Sequence, residues 1–217
     1  EADAIAVADQ DIARLAQPRV GAARPRPDRG LGAAGVGVAS ATVKGVRDLP
    51  LSTIKVAAPA LSPFKKGEAV PLSPEEFHYA FTNTLSREES DAAYDRLHIP
   101  APGNWVWAYG LIANWKPGHQ ETWVDYDLDD RAPLLFIIGG KDHLMPPSVI
   151  RSNARKYRNS EATTETYEFP DRSHFTGVEP GWEQVADYAL EWATRWRMTH
   201  VMCVSSATTI CKGAKPS

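Results

Sequence analysis

Hydrophobic positions alternate along this chain between strand-like runs and helical stripes, most clearly in its second half. Pro133 to Gly140 (PLLFIIGG) is bulky, bounded by proline and glycine, and apolar on both faces, which predicts a central parallel strand. Ser148 to Tyr157 brings Val149, Ile150, Ala154 and Tyr157 close to helical spacing. Thr164 to Phe169 (TETYEF) alternates as a strand does. Trp182 to Trp196 predicts an amphipathic helix with Trp182, Val185, Ala186, Ala189, Leu190 and Ala193 on its apolar side.

The first half is less regular. Ala33 to Ala41 (AAGVGVASA) is a small-residue apolar run that predicts a buried strand. Pro50, Pro59, Pro63 and Pro71 then predict extended loop with at most short helical turns. Ser73-Pro74-Glu75-Glu76 sets an N-cap serine, a proline at the first helical position and a glutamate at the third, a capping box. Phe77, Ala80, Phe81 and Leu85 fall on one face behind it. Ser86-Arg87-Glu88-Glu89 repeats the box, with Ala92, Ala93 and Leu97 as the next face and Pro100 and Pro102 as terminators. Residues 103–130 hold four of the seven tryptophans, Trp105, Trp107, Trp115 and Trp123. That segment reads either as a small subdomain packed on itself or as a pocket roof over a substrate. The order from residue 33 to 197 is therefore strand, helical insertion, strand, helix, strand, helix, which predicts a parallel α/β sheet interrupted by an excursion.

Composition narrows the choices. With 24 Lys+Arg against 27 Asp+Glu, the net charge of -3 gives no electrostatic ground for nucleic acid or anionic lipid as a partner. No apolar run is long enough to cross a bilayer, and Glu1-Ala2-Asp3 does not begin a secretory signal, so a soluble, cytoplasmic chain is expected. Two cysteines, Cys203 and Cys211, exclude a disulfide scaffold and a cysteine zinc site, and the histidines lack metal-ligand spacing. Residues 1–30 are rich in alanine, arginine and proline and carry no core face; residues 199–217 show no periodicity and read as a tail.

Two loops could carry chemistry, each following a predicted strand. One is Gly139 to Pro147, with Asp142 at the strand's carboxyl end; the other is Pro170 to Gly177, with His174 before the last helix. Ligands and catalytic groups collect at the carboxyl ends of parallel strands. Singly, Asp142 could be a turn former and His174 a solvated loop residue. Together, one helix and one strand apart, they predict a buried carboxylate that fixes an imidazole's tautomer and stabilises its charged form. His143 is expected to lie exposed, and Arg172 and Ser173 to shape the loop.

Residues 31–197 resemble the C-terminal part of a single-domain, cap-bearing α/β-hydrolase. The resemblance is carried by PLLFIIGGKDHLMPP and FPDRSHFTGVEPGWEQVADYALEWA, and more weakly by VKGVRDLPLS and the aromatic segment, which are similar to the family's lid. It implies a partial hydrolase fold over residues 31–198, with a helical lid inserted at about residues 47–130 and helices flanking a parallel sheet. It also implies Asp142 as triad acid, His174 as general base, a small ester- or lactone-like substrate bound beneath Trp105, Trp107, Trp115 and Trp123, and no cofactor.

The family's nucleophile, however, lies in G-x-S-x-G ahead of the acid. Ser40, Ser52 and Ser62 lack the flanking glycines, Ser73, Ser86 and Ser90 begin or lie within helices, and no Asp or Cys takes the place of serine. A His-Gly oxyanion loop is also missing. The family's epoxide-hydrolase and dehalogenase branches carry an Asp at the same absent turn. The expectation is thus a truncated or frame-altered hydrolase with an exposed sheet edge at 33–41 and a tendency to self-associate. Its alternatives are a non-catalytic remnant that binds a small molecule or partner, and a half-enzyme completed by another chain. A hydrolase lacking one triad member keeps roughly 10³ to 10⁴-fold over water through its oxyanion hole and binding contacts. That hole uses the amide after the nucleophile, so little of this reserve is expected here.

Overall fold

The computed structural model describes residues 34–104, 107, 114–118 and 124–205; the segment 1–30, Trp105, Trp123 and the chain beyond Ser205 lie outside them. Three strands form a parallel sheet: β1 (Gly35–Val38), β4 (Leu134–Gly139) and β5 (Thr164–Phe169) in the order β1-β4-β5. Leu134 stands opposite both Gly35 and Thr164, so the strands start level, and β4 and β5 also end level, Gly139 opposite Phe169. All six residues of β4 are buried, as expected of a strand covered on both sides. The pleat sends Leu134, Phe136 and Ile138 to one face, onto Val149, Ile150 and Tyr157 of helix α4 (Pro147–Lys156) and its C-cap. Leu135 and Ile137 face the other way, and with Val36 they meet Val185, Trp192 and Ala193 of helix α5 (Trp182–Ser205). The result is a parallel α/β sheet flanked by helices.

The chain between β1 and β4 contains α1 (Leu51–Ala57), a two-stranded antiparallel ladder of β2 (Ala69–Val70) and β3 (Ala101–Pro102), α2 (Pro74–Phe81) and α3 (Arg87–Leu97). Both capping boxes close as read: Ser73 and Glu76 exchange bonds of 3.2 and 2.7 Å, and Ser86 and Glu89 bonds of 3.2 and 2.9 Å.

Four expectations are corrected. The proline-rich stretch after Pro50 is not only loop, because Leu51–Ala57 completes nearly two helical turns before Pro59. Helix α3 buries Ser90 rather than Ala92 or Leu97; the Ser90 hydroxyl lies 2.6 Å from that of Thr82, while Leu97 is exposed. Along α5 the inner stripe runs Val185, Tyr188, Ala189, Trp192, Ala193 and Trp196, so Trp182, Ala186 and Leu190 point outward. That helix continues to Ser205, which makes residues 199–205 helical rather than part of a tail. Among the described residues no helix is long and apolar enough to cross a membrane.

Arg131 fastens the start of β4 to the start of β5. Its buried guanidinium donates to the carbonyls of Ala132 (3.1 Å), Thr163 (3.2 Å) and Ala162 (3.0 Å) and lies 4.8 Å above the ring of Tyr157. Burial pushes the Tyr157 phenol up to about 12, although the Arg131 charge pulls it the other way. The unfolded phenol titrates at about 10, so between these values the native state holds a proton that the unfolded chain has released. The Tyr157 contribution to stability is therefore fully present below about pH 10 and is lost as pH rises toward about 12. In guanidinium unfolding across that window, Tyr157→Phe is expected to flatten the decline; equal slopes for the two proteins would contradict this.

Candidate active site

Glycines let the acid and histidine loops meet. A Cβ on Gly139 would sit 2.5 Å from the Ser173 carbonyl oxygen, and one on Gly140 would sit 2.4 Å from that of Pro170. With no side chains there, the Gly140 amide donates to Phe169 O and the Lys141 amide to Arg172 O, each at 2.8 Å. The two loops leave neighbouring strand ends already joined.

Asp142 is buried, with its side chain fully out of solvent. One carboxylate oxygen, Oδ1, accepts from the amides of Leu144 and Met145 at 2.8 Å each. The other, Oδ2, lies 2.8 Å from Nδ1 of His174. An ionised carboxylate only accepts, so the shared proton belongs to Nδ1, and Nε2 of the neutral ring is left as the basic nitrogen. The His174 side chain retains 14% exposure, which leaves it partly open to a reactant. The structure thus brings Asp142 and His174, the two loop residues singled out in the sequence, into hydrogen-bond contact.

Several partners of this pair lie far away in sequence. The segment from Tyr79 to Thr84, at the end of α2, spans both loops. The Tyr79 carbonyl lies 2.8 Å from Nδ1 of His143, and the Tyr79 ring stacks on that imidazole at 4.4 Å. The Phe81 ring makes a T-shaped contact with that of His174 at 5.2 Å, and the Phe81 carbonyl accepts from the Phe175 amide at 3.1 Å. Asn83 donates to Lys141 O at 3.0 Å, and Thr84 donates to Glu179 at 2.6 Å. His143 is therefore half-buried against Tyr79, a correction to its expected exposure. Arg172 does shape its loop, with one guanidinium nitrogen donating to Pro180 O at 3.1 Å and the other to Gly181 O.

Two of the four tryptophans of the aromatic segment lie among the described residues. Trp107 packs against Ala57 and Ala60, donates its indole N–H to Ala60 O at 3.3 Å and lies beneath Lys66. Trp115 is half-exposed, with the Arg47 guanidinium over its ring. Trp105 and Trp123 lie outside the described residues. Among the described residues Phe81, which the sequence places only on a core face, pairs with the His174 ring.

No protein-family model matches the chain, and no curated protein does. Solved structures do. A methylesterase from Arabidopsis is 14% identical at a TM-score of 0.46, over 76% of this chain and 60% of that one. A Mycobacterium tuberculosis protein is 19% identical at a TM-score of 0.47, over 75% and 56%. A monoacylglycerol lipase from Paleococcus ferrophilus is 17% identical at a TM-score of 0.42, over 75% and 59%. The chain spans less than two thirds of the length of each.

Proposed function

We propose that this chain carries the acid–base half of a hydrolase site for small ester-like substrates. Asp142 orients His174, and Nε2 of His174 is the nitrogen that would take a proton from an attacking hydroxyl and return it to the leaving group. The single observation behind this reading is the 2.8 Å contact between Asp142 Oδ2 and His174 Nδ1 above adjacent parallel strands, with Asp142 Oδ1 held by two amides. No G-x-S-x-G, G-x-D-x-G or G-x-C-x-G precedes Asp142 in these 217 residues, so the attacking atom and the amide after it are not supplied here. The protein as it stands is proposed to be inactive toward esters.

Purified protein incubated with a chromogenic short-chain ester and, separately, with a serine-directed fluorophosphonate gives the test. Expected are no covalent labelling and a hydrolysis rate equal in wild type and His174→Ala. Labelling of any serine, or turnover lost with His174, would overturn the inactive reading.

A further inference from the structure

Glu179 is a buried carboxylate that the dyad does not use. It is 5% exposed and yet fully provided with donors. Its Oε1 accepts from the Ser173 amide at 3.2 Å, and its Oε2 accepts from the Ser173 hydroxyl at 2.9 Å and the Thr84 hydroxyl at 2.6 Å. The Arg172 guanidinium lies 3.8 Å from Oε1. A buried acid is tolerated when hydrogen bonds and a nearby cation replace its lost hydration, and this one has both.

The placement of these bonds goes beyond stitching a loop. Ser173 Oγ, while donating to Glu179, accepts from the Phe175 amide at 3.1 Å. The backbone on both sides of His174 is thereby fixed by one relay that ends on Glu179. The relay's other arm reaches Thr84, in the turn between α2 and α3, 95 positions away. That same stretch carries Phe81, whose ring makes a T-shaped contact with the imidazole. Any displacement of the α2–α3 turn therefore reaches His174 twice, through the Phe81 ring and through Glu179.

We propose that Glu179 is a positioning residue that ties the orientation of the His174 ring to the placement of the α2–α3 turn. The inference rests on the dyad reading above and adds a link between the α2–α3 turn and the His174 ring. It excludes a purely local role for Glu179, in which only loop stability depends on it.

The low-field proton resonance of His174 Nδ1 reports ring geometry directly, because its position depends on the bond to Asp142 and its water exchange on how well the ring is held. It is recorded for wild type, Glu179→Gln, Thr84→Val and Thr84→Ser, alongside each unfolding midpoint. Thr84→Val cuts only the arm to the turn, and Thr84→Ser restores it. The expected result is an upfield shift and faster exchange in Glu179→Gln and Thr84→Val, with the wild-type position recovered in Thr84→Ser. A resonance unmoved in both Glu179→Gln and Thr84→Val, whatever their midpoints, overturns the inference while leaving the dyad intact. Absence of the resonance from wild type overturns the dyad reading and this one with it.

Discussion

Gly139→Ala is expected to open the contact between Asp142 and His174 and to destabilise the whole domain. The added Cβ would meet the Ser173 carbonyl oxygen at 2.5 Å, the Thr176 hydroxyl at 2.6 Å and the Arg172 carbonyl oxygen at 2.9 Å. Two of these are backbone atoms of the histidine loop, which cannot swing aside as a long side chain could. The loop must move outward, and the 2.8 Å bond from His174 to the buried Asp142 lengthens with it. Overpacking of this kind costs about 1–3 kcal/mol. Gly140→Ala meets three atoms of Pro170 within 2.7 Å and is expected to act in the same way. Urea titration of the two variants measures the effect. Wild-type stability in either would show that the loops are not in the close contact described.

The largest loss of stability is expected from Trp192→Ala. Trp192 is completely buried on the α5 face of the sheet, among Val36, Leu135, Ile137, Val185 and Ala193. Its indole N–H donates to Glu165 Oε2 at 2.9 Å, which ties the helix to β5. Truncating a buried tryptophan costs about 3–5 kcal/mol through lost transfer energy and the cavity left behind. That is a large share of the roughly 5–15 kcal/mol that holds a domain together. Trp192→Phe keeps most of the apolar volume and forfeits the hydrogen bond, a loss of about 0.5–1.5 kcal/mol, or more if the bonded Glu165 is ionised. Circular dichroism during denaturant titration separates the two variants. Similar losses for both would mean that the bond, rather than the packing, dominates.

The parts of this molecule that were legible in its sequence are those fixed by local chemistry. The capping boxes at Ser73 and Ser86 need only residues within one turn of each other, and both form. Strand β4 stands out because six consecutive buried residues leave no polar alternative, and the glycines after it mark where the chain must leave the sheet. Asp142 and His174 were found through their place at successive strand ends, and the parallel pairing of β4 with β5 delivers their contact.

What was misread depends on long-range packing. The phase of α5 could not be settled by pattern, because Trp182, Ala186 and Leu190 make a second apolar row beside the one that packs on the sheet. The contacts of the Tyr79–Thr84 segment join residues 58 to 95 positions apart, and nothing near Asn83 or Thr84 announces them. Glu179 left a faint signal, an acid between valine and proline in a short G-V-E-P-G turn beside the histidine loop. Of the tryptophan cluster, Trp107 is occupied with α1 and the turn after it, whereas the Phe81 ring pairs with that of His174.

Whether a carboxylate in fact steers the imidazole at position 174 is measured most directly by proton and nitrogen NMR of the His174 ring, in wild type and in Asp142→Ala. With the bond in place, wild type shows a low-field Nδ1 proton and a ring held as the Nδ1–H tautomer, and Asp142→Ala loses both. Identical ring signals in the two proteins would contradict the account.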